Sequence, residues 1–149
     1  MEKIENLTNE ERKKLKKKTM LINKVLLDNL SAQAKASPRL RMHFDLRNGS
    51  DDTSQRMLNA LEPGTIMPIH RHRNSSETVA VLRGKVKWLY YDEEGRVTDT
   101  FVVEAGGDPC GISVPKGQWH NLECLEPNTV ILESKDGAWE PQQDEDVMK

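Results

Sequence analysis

Three histidines and a glutamate in this chain stand at spacings suited to holding a metal ion. In the segment GTIMPIHRHRNSSETVAVLRG, His70 and His72 are separated by one residue and Glu77 follows after a short polar stretch. In a strand, residues i and i+2 point to the same face, so His70 and His72 can present two imidazoles to one point. The RNSS segment turns the chain, and Glu77 returns on the next strand. Imidazole with carboxylate suits Fe, Mn, Ni, Co, Cu or Zn. Residue frequencies of roughly 2–7% make a chance match at Gly64, His70, His72, Glu77 and Gly84 on the order of 10⁻⁷ per starting position. The spacing is therefore informative. Downstream, PKGQWHNL makes a tight turn at Pro115-Lys116-Gly117 and enters a strand carrying Trp119 and His120. On a barrel reading, His120 is the fourth ligand, reaching from across the interior. His43, the remaining histidine, has no comparable partner and is expected to be structural.

Other residues are candidates for the same pocket. Arg39, Arg41 and Arg56 lie in or beside the early strands, and arginine is suited to bidentate recognition of carboxylate or phosphate. Arg41 or Arg56 is expected to orient an anionic substrate. Glu133 and Lys135 share one face of the last strand, and if that face points inward Glu133 could act as an acid or base. Trp119 faces away from His120 and is expected in the core or an interface.

The elements that must position these groups are mostly strands. The runs 41–46, 54–61, 64–70, 77–83, 85–91, 98–103, 111–114, 118–122 and 129–134 are rich in β-branched residues and separated by turn signals such as Asn48-Gly49, Pro63-Gly64 and Glu94-Gly95. Many short strands at this spacing predict a sandwich or closed β-barrel. Residues 1–37 are expected to be a helical arm and 38–149 the barrel. Thr8 and Glu11 form a capping-box pattern for a first helix. A second helix is expected over 20–37, with Ile22, Val25, Leu26, Leu30 and Ala34 on one face. Ser37-Pro38 ends it. The tail EPQQDEDVMK is polar and expected to be loose.

Composition narrows the function classes. The 149 residues fit one domain, and the net charge of −2 offers no global basic field for nucleic acid. The basic run Arg12–Lys18 has no interleaved aromatics, so it is expected to be a solvated helix face. The N-terminus has no apolar signal-peptide core, and no stretch is long and apolar enough for a membrane span. A cytoplasmic location is expected, and Cys110 and Cys124 are expected to stay free thiols.

The first segment resembles the first cupin motif at every position. The second motif is partial: Pro115, Gly117 and His120 fit, but Pro109 and Cys124 depart. A closer resemblance over most of residues 37–146 rests on SPRLRMHFDL, QRMLNALEPGT, HRH, VLRG, DEEGRV, PKGQWHNL, LEPNTVILESKDG and a final DED. These strings are similar to the WbuC family of cupin metalloproteins, with departures at Asp45 and Arg47. The resemblance implies an all-β cupin double-stranded β-helix, or jelly roll, with an N-terminal helical extension. It implies one divalent transition metal (Zn, Fe, Mn or Ni) on His70, His72, Glu77 and His120, and an association with surface-polysaccharide gene clusters. A small-molecule partner, anionic or sugar-like, follows, with neither nucleic acid nor membrane, and a homodimer is expected. The leading expectation is a metal-dependent sugar isomerase or epimerase. An Fe(II)-dependent oxygenase, a non-catalytic ligand-binding module and a structural metal are the alternatives.

Overall fold

A computed structural model describes residues 8–11 and 19–149, so the basic run lies outside the described residues. The capping box at Thr8 and Glu11 is reciprocal: the Thr8 N–H donates to Glu11 Oε2 (2.7 Å) and the Glu11 N–H to Thr8 Oγ1 (3.1 Å).

Helix α1 runs Lys24–Ala36. It starts later than expected because Asn23 caps it, accepting from the Leu26 N–H at 3.0 Å. Only Leu26, Leu30 and Ala34 of the expected apolar face are buried; Ile22 and Val25 are exposed. Asn23→Ala is expected to cost about 1 kcal/mol, read as a lower denaturation midpoint with an unchanged denaturant slope.

Eight strands follow: β1 (Arg41–Asp45), β2 (Ser54–Leu61), β3 (Glu77–Arg83), β4 (Lys85–Tyr91), β5 (Val97–Glu104), β6 (Gly111–Val114), β7 (Trp119–Cys124) and β8 (Thr129–Asp136). They form a five-stranded sheet, β1-β2-β8-β3-β6, and a three-stranded sheet, β5-β4-β7, with antiparallel pairing throughout. No named strand among the described residues pairs across the two sheets. The expected barrel is therefore not closed by a continuous strand ladder.

The expected strand over 64–70 is not formed. Pro68 cannot donate to a ladder, and only His70 joins bridges, to His120 and Val147. The chain passes from the larger sheet to the smaller at Gly84, between β3 and β4. Its φ is +84°, and an added Cβ would lie 2.1 Å from Thr129 Oγ1 and 2.8 Å from Thr129 Cα.

Period-two alternation assigns the two faces of the larger sheet. Leu58 and Ala60 of β2 and Val130 of β8 face α1, packing with Leu26, Leu30 and Ala34. Leu61, Val79, Val81 and Ile131 face the smaller sheet and pack with Val86, Trp88, Leu122 and Cys124. Burying each large apolar side chain contributes roughly 1.5–3 kcal/mol. Along the same inward rows the chemistry then changes. Past Ile131 come Glu133 and Lys135, past Val79 comes Glu77, beyond Leu61 comes Asn59, and beyond Leu122 comes His120. One end of the sandwich is apolar core; the other is a polar cavity. Cys110 is exposed and Cys124 buried, and both are free.

Candidate metal centre

His70, His72 and His120 converge at the polar end, one ring nitrogen of each lying within 4.8 Å of the others. The ring centroids of His70 are 4.4 Å from His120 and 5.1 Å from His72. His120 comes from β7, and its ring sits 6.0 Å from that of Trp88, which is fully buried. His70 is held against β7 by a backbone pair, His70 N to His120 O (3.0 Å) and His120 N to His70 O (2.9 Å). The Gly117 N–H, donating to His72 O at 2.8 Å, fixes the neighbouring loop to the turn before β7.

The tautomers follow from the carbonyls nearby. His70 Nδ1 lies 2.9 Å from Pro68 O and His120 Nδ1 2.8 Å from Gln118 O. A carbonyl only accepts, so each Nδ1 carries the proton and each Nε2 keeps its lone pair. Burial, with help from the nearby His120, lowers the His70 pKa to about 4, and burial also lowers that of His120. Both rings are neutral at pH 7, as metal ligation requires.

Glu77 supplies a carboxylate from β3, with Oε2 2.9 Å from His72 Nε2. The orientation does not make a hydrogen bond, and His72 Nε2 is buried with no other partner. Burial pushes the Glu77 carboxyl up, but contact with His72, reinforced by the other two imidazoles, outweighs it and holds it below the usual range. Two electron-rich atoms this close call for a proton or a cation between them. Three imidazoles, an orphaned ring nitrogen and an ionised carboxylate make a donor set that fits one divalent metal ion.

The cluster opens into a cavity of about 760 Å³, within the range of small-molecule sites. Of the expected substrate residues, Arg41 lines it, its guanidinium donating to Ile66 O at 2.7 Å. Arg56 does not. On β2 it is Gln55, Met57 and Asn59 that face the cavity, so alternation turns Arg56 outward onto Asp52 at 3.1 Å. Glu133 lines the cavity with Lys135, whose Nζ lies 3.3 Å from His72 Nδ1. Burial, reinforced by the Glu77 charge, pushes the Glu133 carboxyl up to about 8. Asn59 adjoins it and keeps a buried Oδ1 without a partner.

That shift has a pH signature in the metal-free protein. Between about 4.5 and 8 the folded chain holds a proton on Glu133 that the unfolded chain releases, so this contribution to stability is full in acid and lost as pH rises. Glu133→Gln is expected to raise the thermal midpoint at pH 9 and leave it unchanged at pH 4. Equal midpoints at pH 9 would show that the Glu133 carboxyl is not desolvated as described.

The C-terminal segment, expected to be loose, packs across the cavity mouth. Asp146 is buried and accepts from Arg71 Nε (2.9 Å) and Arg73 Nε (3.0 Å), the residues on either side of His72. Arg71 also lies over the Trp119 ring, 4.5 Å from its centroid. The Met148 N–H donates to Ile69 O, and Gln55 Nε2 to Gly137 O. The Arg-His-Arg alternation was the available signal: the two arginines flanking His72 needed a carboxylate, and Asp146 supplies it.

Residues 22–103, over half of the chain, match the family described as Domain of unknown function (DUF6016). The match contains His70, His72 and Glu77 and ends before His120. No curated protein matches the chain. Among solved structures it is similar to CapF, the capsular polysaccharide assembling protein of Staphylococcus aureus. That likeness has 19% identity and a TM-score of 0.61, over 75% of this chain and 32% of CapF. It is similar to oxalate decarboxylase of Bacillus subtilis, at 20% identity and a TM-score of 0.53, over 73% of this chain and 27% of the decarboxylase. It is also similar to KdgF from Halomonas sp., at 15% identity and a TM-score of 0.51, over 68% of this chain and 82% of KdgF. The chain thus spans about a third or less of the length of CapF and the decarboxylase. At these identities the likeness shows the fold, a jelly roll of cupin type. No helix among the described residues is long and apolar enough to cross a membrane.

Proposed function

The chain belongs to the DUF6016 family, and we propose that it is a metal-dependent enzyme acting on a small, sugar-derived molecule, with isomerisation or epimerisation as the leading reaction class. The observation that carries this reading is the position of the His70–His72–His120 cluster: it opens onto a small-molecule-sized cavity and is not sealed in a loop. In this reading Glu77 joins the three histidines as a ligand. A bound divalent ion supplies Lewis-acid polarisation of a substrate oxygen. Glu133, protonated at neutral pH, would donate or return a proton, and Asn59 and Lys135 would orient its neighbourhood. Arg41 would hold an anionic substituent.

The substrate class draws on the neighbours. CapF is named for assembling capsular polysaccharide, which favours a saccharide over an unrelated acid. The oxalate decarboxylase has Mn(II) centres, which keeps manganese among the candidates with zinc, iron and nickel. The strings shared with WbuC-type cupins point the same way.

The test is solvent proton exchange. Metal-loaded protein is incubated in deuterated water with a panel of sugar nucleotides and keto sugars, and deuterium at carbon beside the carbonyl is read by NMR. Exchange that disappears on metal removal and in Glu133→Gln supports the proposal. Oxygen uptake with iron in place of exchange would make it an oxygenase. Ligand-induced thermal stabilisation with neither would make it a binding module.

A further inference from the structure

The arginines among the described residues separate into two groups. Arg47, Arg56, Arg71, Arg73, Arg83 and Arg96 each rest on a carboxylate. Arg39 and Arg41 have no carboxylate partner among the described residues, and both line the cavity. Arg41 spends one terminal nitrogen on Ile66 O and the Met67 sulfur, which leaves the rest of its fork uncommitted. Its charge is opposed by partial burial and by the charge of Arg39, which lines the same cavity. Two cations that share a cavity wall and keep no carboxylate partner among the described residues are free to receive an anion.

The backbone beneath them is strained and fixed. Leu40, between the two arginines, has φ of +54°, in the left-handed region that a leucine rarely adopts. Neighbouring hydrogen bonds hold it there. Thr65 Oγ1 donates to Arg39 O (2.8 Å), the Glu62 N–H to Leu40 O (3.0 Å), and the Leu40 N–H to Ser37 O (3.0 Å). Strain that persists because its surroundings over-determine it is a mark of a working segment.

From this we propose that Arg39 and Arg41 form a subsite for a doubly charged oxyanion, so that the natural ligand is a phosphorylated sugar whose phosphoryl group sits on the two arginines while its other end reaches the metal cluster. The proposal rests on reading the cavity as a substrate site. A dianion neutralises both guanidiniums and can accept from both forks; a single carboxylate leaves one cation uncompensated.

Calorimetric titration of the full chain with inorganic phosphate, in metal-loaded and metal-free forms, tests it. Saturable binding is expected in both forms, weakened about tenfold or more by Arg39→Gln and by Arg41→Gln. Arg96→Gln, on an exposed turn, is expected to change nothing. Arg41→Lys keeps the charge without the fork and is expected to fall between parent and Arg41→Gln, provided its thermal midpoint matches the parent. Acetate is expected to bind at least tenfold more weakly than phosphate. Acetate binding as tight as phosphate, or phosphate binding indifferent to both arginines, overturns the subsite. If that indifferent binding also needs metal, the anion sits on the ion, and the metal reading stands while the subsite falls. Arginine-dependent binding in a protein that takes up no metal leaves the subsite standing and removes the metal reading.

Discussion

Replacing His120 by alanine is expected to leave a protein that no longer retains metal. Purified without added metal, the parent should carry about one equivalent of a transition ion by elemental mass spectrometry. The variant should carry less than a tenth of that. Groups that merely orient a ligand cost 10–100-fold in affinity when lost, so a ligand itself should cost at least on the order of 100-fold. His120 is also a packed side chain, 1% exposed beside Trp88, and its truncation opens a void. His72→Ala, from a loop at the cavity edge, separates the two effects: it should lose metal with less loss of stability. His43→Ala should keep its metal. Full metal occupancy in both the His72 and His120 variants would dismiss the cluster as a binding site.

The second large effect is structural. Gly84→Ala is expected to destabilise the fold by roughly 2–5 kcal/mol, which is a large part of the stability of a domain this size. The added methyl must occupy a left-handed backbone and meet Thr129 Cα at 2.8 Å, where no side-chain rotation can relieve it. Gly117 provides the comparison. Its φ is +82°, but nothing lies within 4 Å of an added Cβ, so Gly117→Ala carries the backbone cost alone, about 1–2 kcal/mol. Equal denaturation midpoints for the two variants would show that the contact at Thr129 yields.

What was legible in the chain was what local rules encode. Runs rich in β-branched residues and bounded by turn signals located β1 through β8 within a few residues. The His70–His72 spacing and the later histidine announced a site, because ligation needs those residue types. Where local rules failed, a long-range partner decided. Residues 64–70 carry β-branched residues, yet Pro68 and the pull of His120 leave only a bridge at His70. Arg56 has the composition of a pocket residue, but the register of β2 against β8 turns it outward. Val25 fits the helical period, yet α1 turns Leu26, Leu30 and Ala34 to the sheet and leaves Val25 exposed. The tail has no periodicity at all. Its order comes from Asp146 meeting Arg71 and Arg73 more than seventy residues away, which no window of sequence contains.

That distant fastening has a practical consequence for anyone handling the protein. A polypeptide joined after Lys149 hangs, through Met148 and Val147, from the backbone of Ile69 and His70. Bulk or tension at that end is delivered to the loop that carries two of the histidines. An affinity tag placed there is expected to disturb the site, and its first quality check is metal content before yield. A carboxypeptidase that trims past Asp146 would remove the shared anchor of Arg71 and Arg73, so storage and processing can change metal retention without touching a ligand.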